Sequence, residues 1–150
     1  MTVLSRWRAG VWPGIGRRRV TSLVMADEKP HVYVPAGTTP PPELEIEDMV
    51  VGDGPEASTG QDVEVHYVGV AWSTRKQFDA SWDRGETFRF GLGRGQVIKG
   101  WDQGVAGMKV GGRRRITIPP RLGYGAAGAG GGLIKGGETL VFVVDLLGVG

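Results

Sequence analysis

The chain has 150 residues, a formal net charge of +2, 27 glycines, nine prolines, His31 and His66 as its two histidines, and no cysteine. That length suits one domain with a core of its own. The missing thiols exclude disulfides, thiol nucleophiles and Cys-ligated metals, two histidines leave little for a His-based zinc site or triad, and so much glycine and proline predicts a turn-rich β domain over a helical bundle.

The charge is unevenly placed. Residues 1–23 hold Arg6, Arg8, Arg17, Arg18 and Arg19 and no acid, so the leader is +5 and the other 13 basic and 16 acidic residues leave the body at −3. A nucleic-acid footprint across the body is therefore not expected. Pro13 and several glycines break residues 1–24, leaving no apolar run long enough for a signal sequence or a membrane span. This leader reads as disordered, with too few serines for a transit peptide. A second reading starts translation at Met25, whose sequel MADEKP is that of an ordinary cytoplasmic N-terminus; the intact mass of the natural protein separates the two. Residues 25–42 are proline-rich and predict an extended linker.

From Glu43 the text alternates apolar and acidic residues and ends in the turn Gly52-Asp53-Gly54-Pro55, a strand and its stop. Residues 62–72 alternate again, with Val63, Val65 and Tyr67 on one face and Glu64, His66 and Val68 on the other. His66 reads as a solvated or cross-strand residue. Residues 76–90 set Phe78, Phe88 and Phe90 around Asp79, Asp83 and Arg84. Two readings stand for Asp79 and Arg84. They form either a surface ion pair worth under about 1 kcal/mol, or a carboxylate dried by its aromatic neighbours and dependent on Arg84 or a tyrosine hydroxyl.

The run GLGRGQ at 91–96 has its third glycine misplaced for a dinucleotide loop and no surrounding βαβ unit. In the stretch that follows, Val97, Trp101, Val105 and Met108 recur at helical spacing, and Gly100, Gly104 and Gly107 weaken any helix that stands alone. Such a helix needs a sheet to lie on, with Trp101 either a core residue or the floor of a cavity. A strand is predicted from Arg113 to Ile118, with Arg113–Arg115 as its solvent-exposed start. The loop RLGYGAAGAGGGLIKGGE carries Tyr124 and the pair Leu133 and Ile134, and lacks the Gly-Lys-Ser/Thr ending of a phosphate cradle. The closing TLVFVVDLLGV reads as a strand buried on both faces.

Rings at 67, 78, 88, 90, 101, 124 and 142 suffice for an apolar pocket, but no nucleophile with a base, metal cage or phosphate cradle accompanies them. Rotation about an amide bond needs none of these. The runs VHYVG (65–69), FDASWDRGETFRFGLG (78–93), VIKGWDQGVAGMKVG (97–111), Tyr124-Gly-Ala and TLVFVVDLL (139–147) resemble the FKBP-type peptidyl-prolyl cis-trans isomerases, the family inhibited by tacrolimus and rapamycin. The likeness spans roughly 44–149, so residues 43–150 are expected to form the domain.

This resemblance implies an α+β fold, an antiparallel sheet of five or six strands curled around one short helix. It implies a Trp101 floor with Tyr67, Phe78, Phe88 and Phe142 as walls. Val97 and Ile98 fall at the rim, where the Ile98 N–H would donate to a bound carbonyl. Asp79 matches the acid beside the rotating amide, with Arg84 and Tyr67 as partners, and Tyr124 the tyrosine that hydrogen-bonds the ligand. Gln96 stands where relatives often carry Glu, at a contact made through the main-chain carbonyl. Leu133 and Ile134 match the apolar pair closing the long loop, whose glycine run at 129–132 implies a more flexible flap. The implied partners are proline-containing peptides, unfolded proteins and macrolides of the tacrolimus type. No cofactor, metal, nucleic acid or membrane is implied, and a cytoplasmic monomer is expected.

Overall fold

The computed structural model describes residues 28–150; the expectations for the leader, residues 1–24, lie outside them. Six strands form one antiparallel sheet: β1 (Glu45–Val50), β2 (Asp62–Ala71), β3 (Gln77–Ala80), β4 (Phe88–Gly91), β5 (Arg113–Ile118) and β6 (Leu140–Val149). The order is β1-β5-β6-β2-β3, with β4 also paired to β2. The alternation in β2 places Val63, Val65 and Tyr67 on the inner face. There they meet Leu140, Phe142, Val144 and Leu146 of β6, while Val141 and Val143 are buried on the outer face. Strand β6 is thus covered on both sides, as its unbroken apolar run predicts.

The helix α2 (Lys99–Gly104) is shorter than its apolar spacing implied. Val97 lies in a bend and Ile98 in extended backbone ahead of it, and Val105 and Met108 follow it, but Trp101, Val105 and Met108 all still face the core. Gly100 and Gly104 explain how so short an element stays in place. A Cβ on Gly100 would lie 2.5 Å from Ile118, and one on Gly104 2.8 Å from Ile116, so the bare glycine face lets the helix rest directly on β5. A second helix, α1 (Ser81–Arg84), is a single turn between β3 and β4.

Two features depart from the sequence reading. The triple arginine is not a solvated strand start: Arg113 and Arg114 are buried, Arg113 against Asp145 at 2.7 Å and Arg114 against Asp48 at 2.7 Å and the Gly104 and Ala106 carbonyls. A guanidinium has enough donors to satisfy several acceptors at once, which is what allows it inside. The proline-rich segment, in turn, is a cover as well as a connection. Val32 and Val34 are buried against Val68, Val70, Val141 and Val143, and the Glu28 carbonyl accepts a hydrogen bond from Arg113 Nη2.

Candidate active site

Trp101 has no exposed surface and sits inside a ring of aromatic side chains. Its centroid lies 5.1 Å from Tyr67, 5.3 Å from Phe142, 5.5 Å from Phe90 and 5.9 Å from Phe88, each edge-on. Phe78 extends the ring through Phe142 at 5.5 Å. Edge-to-face packing suits the ring quadrupoles and fixes the indole in place. The Trp101 Nε1 is buried without a hydrogen-bond partner among the described residues, a donor held in an apolar setting. Phe90, on β4 beside Phe88, belongs to this ring as much as the four walls named from the sequence do.

Polar groups meet at one edge of the ring. The Tyr67 hydroxyl donates to Asp79 Oδ2 at 2.6 Å, and Arg84 donates from Nη1 to Asp79 Oδ1 at 2.6 Å and from Nη2 to the Tyr67 oxygen at 3.1 Å. Asp79 is almost fully buried while Arg84 keeps about a third of its side chain exposed, so the carboxylate is dried and its counter-ion reaches water. Partial burial works to lower the pKa of Arg84, but its hydrogen bonds to Tyr67 and Asp79 and the charge of Asp79 outweigh it and leave it raised. Of the two readings of Asp79 and Arg84, the structure forms the dried carboxylate with both partners.

The remaining candidates arrive from α2 and the long loop. Val97, Ile98 and Tyr124 are half-buried against the main core. The Ile98 carbonyl accepts from the amides of Trp101 at 2.9 Å and Asp102 at 3.3 Å, while its own N–H precedes the helix and lies outside the helical bonds. The Gln96 side-chain oxygen accepts from the Gly91 N–H at 2.7 Å, so this side chain holds the end of β4. Asp102 accepts from the Gly93 and Gly95 amides at 2.8 and 3.1 Å. The glycine-rich run 91–95 thus wraps a carboxylate of its own chain.

The pair Leu133 and Ile134 divides: Ile134 is buried in the main core and Leu133 is half exposed. Between Tyr124 and Ile134 the loop is bonded to itself, with Ala129 and Ile134 exchanging amide hydrogen bonds at 2.9 and 3.0 Å around the tip Gly130–Gly132. Its three glycines have φ of 68°, 63° and 98°, the left-handed region where side chains are rarely tolerated. The glycine run therefore has a conformational reason besides flexibility. Among the described residues no cluster of three or more potential metal ligands occurs.

A family model described as FKBP-type peptidyl-prolyl cis-trans isomerase matches residues 54–147. This chain belongs to that family. It is 62% identical over 125 residues to the FK506-binding protein of Streptomyces anulatus, covering 83% of this chain and all of that one. It is 52% identical over 120 residues to a probable FK506-binding protein of Corynebacterium glutamicum, covering 80% and 98%. The crystal structure of AtFKBP13 superposes with a TM-score of 0.66 at 44% identity, over 71% of this chain and 93% of that one. The protein is thus an FKBP-type isomerase, and its sheet of six strands around a short central helix falls within the five or six expected. Phe90, counted among the pocket rings from the sequence but not among the four walls that the resemblance implied, proves to be one of them. Ser81, considered below, was not singled out in the sequence, since it carries no motif of its own.

Proposed function

We propose that the aromatic ring around Trp101 and the Tyr67–Asp79–Arg84 cluster together accelerate rotation about X–Pro bonds in peptides and folding proteins, without a covalent intermediate. The observation that carries this reading is a buried carboxylate, held by a phenol and a guanidinium, beside a closed set of rings with no nucleophile among them. The planar imide owes its barrier of about 18–20 kcal/mol to C–N double-bond character. Twisting localises the nitrogen lone pair and lowers the negative charge on the carbonyl, so the planar form loses more than the twisted form when water is removed. Each factor of ten in rate requires about 1.4 kcal/mol of that difference. In this reading Ile98 N–H and Tyr124 orient the peptide from the rim, and Asp79 faces the rotating amide.

The same pocket would take macrolides of the tacrolimus type, with Trp101 beneath the ligand. A cytoplasmic monomer completes the proposal. It rests on the chain's small size and the run MADEKP at 25–30, and sedimentation and fractionation test it. Turnover is tested with a protease-coupled prolyl peptide: acceleration over buffer supports the isomerase, and saturable peptide binding with no acceleration reduces the protein to a binding module. Tacrolimus titrated against tryptophan fluorescence should give a saturating quench that a Trp101→Phe variant loses; five tryptophans make that variant necessary.

A further inference from the structure

Both β3 and β4 pair with β2, but at different places. Strand β3 reaches down to Val68 opposite Ala80, and β4 begins with Phe88 opposite Val65. His66 and Tyr67 fall in the interval, where β2 has no strand beside it on that edge. Ser81, the first residue of α1, fills the place. Its Oγ accepts the Tyr67 N–H at 2.7 Å and lies 3.3 Å from the Tyr67 carbonyl oxygen, the two groups a neighbouring strand would have engaged. Ser81 is completely buried, so no water substitutes for it. The segment 79–81 therefore grips Tyr67 at both ends, Asp79 on the phenol and Ser81 on the main chain.

Ser81 Oγ has a third neighbour, His66 Nδ1 at 2.7 Å. With neutral imidazole as its Nε2–H tautomer, Nδ1 accepts the serine O–H, and the Tyr67 carbonyl receives nothing from Ser81; the neutral ring is taken as this tautomer, since an Nδ1–H ring donates to Oγ as the charged one does. With the ring charged, Nδ1–H donates to Oγ, and the hydroxyl hydrogen has only the Tyr67 carbonyl to turn to. At 3.3 Å that bond is long, and a good one requires Tyr67 to shift.

We propose that Ser81 is a positioning residue of this isomerase, and that the protonation of His66 sets how it holds Tyr67, hence how the Tyr67–Asp79–Arg84 cluster meets the substrate. This rests on the reading above that Asp79 faces the rotating amide. The surroundings of His66 favour the neutral ring. It stacks on Trp82 at 4.2 Å, and burial lowers its pKa most, with Glu64 on its own strand raising it and Arg84 of α1 lowering it. Glu64 lies near Arg89 at 3.7 Å, Asp145 stands opposite His66 on β6 but is paired to Arg113, and Asp83 of α1 is paired to Lys29 of the N-terminal segment. Each of those acids has its own cation. A group whose folded pKa is depressed in this way takes up its proton only below the ordinary value of 6.5.

The test is kcat/KM for a prolyl tetrapeptide, measured by NMR exchange from pH 5 to 8 so that no coupling protease is involved. Wild type should lose activity in a step below pH 6.5, and His66→Asn, which presents a non-titrating acceptor to Ser81, should flatten that step. Ser81→Ala should lower kcat/KM by about tenfold, the loss of one buried hydrogen bond, and show no step. The His66 ring resonance in Arg84→Gln should titrate at higher pH than in wild type, because the Arg84 charge that disfavours imidazolium is gone. Identical profiles for wild type and His66→Asn, or full activity in Ser81→Ala, overturn the proposal. Asp79→Asn serves as the control: if it too leaves activity untouched, the reading of the site itself has failed, whereas a silent Ser81→Ala beside an impaired Asp79→Asn refutes Ser81 alone.

Discussion

The phenol of Tyr67 and the carboxylate of Asp79 meet at 2.6 Å, and Arg84 closes the triangle by donating to both. A short hydrogen bond to a buried anion is stronger than a neutral one. Tyr67→Phe and Asp79→Asn should each lower kcat/KM by roughly tenfold, with the double variant losing less than the product of the two, because both remove the same bond. A double-mutant cycle on prolyl peptide turnover checks this; strictly multiplicative losses would show that the two side chains act independently.

Trp101 is core and site at once, so truncating it should damage both. Trp101→Ala should cost about 3–5 kcal/mol of stability, the range for emptying a large buried aromatic site, and remove activity with it. Asp79→Asn should spare far more stability. Urea denaturation alongside turnover separates the two effects, and a Trp101→Ala protein as stable as wild type would show that the ring of aromatics does not depend on its centre.

Arg113 and Asp145 form a bidentate pair on the outer face, almost without exposure. Burial pushes the Asp145 carboxyl up to about 6 against the opposing pull of Arg113. Because the folded pKa exceeds the unfolded value of 3.8, this group's contribution to stability is complete below pH 3.8 and is lost as the pH rises through about 6. Unfolding free energy attributable to Asp145 should therefore decline between those limits. Asp145→Leu alone strands a buried guanidinium and should cost about 3–5 kcal/mol, whereas Arg113→Met with Asp145→Leu should be neutral or stabilising and abolish the pH slope. Denaturation curves of the three proteins at pH 4 and pH 7 decide it.

Alanine normally stabilises a helix over glycine by about 1 kcal/mol. At Gly104 the sign should reverse, since the added methyl would lie 2.8 Å from Ile116 and 2.9 Å from its terminal carbon. We expect Gly104→Ala to lose about 1–3 kcal/mol through displacement of α2 from β5. A raised Tm in that variant would mean the helix can slide without harm.

Much of this arrangement is legible in the residues. Period-two alternation gives β2 and its inner face, the unbroken apolar run gives β6, and the spacing of Trp101, Val105 and Met108 gives the face of α2. The extent of α2 was not legible, because its glycines answer to Ile116 and Ile118, which lie on a strand ten or more residues further on. Nor was the burial of Arg113 and Arg114, whose partners Asp145 and Asp48 are 32 and 66 positions away. The cluster at Asp79 was only half visible: the residue types suggested a dried carboxylate, but an ion pair in a wet turn has the same spelling. Ser81 was invisible, since its importance comes from a gap between two strands.

The valines at 32 and 34 carry a practical warning for anyone trimming this protein to its recognisable part. The family match begins at residue 54, beyond both the edge strand β1 and the segment that shields Val68, Val70, Val141 and Val143. An expression fragment cut there would present a greasy stripe to its neighbours and an open strand edge beside it, an invitation to clump. A fragment meant to stay in solution has to begin ahead of Glu28, where Arg113 takes hold of the backbone.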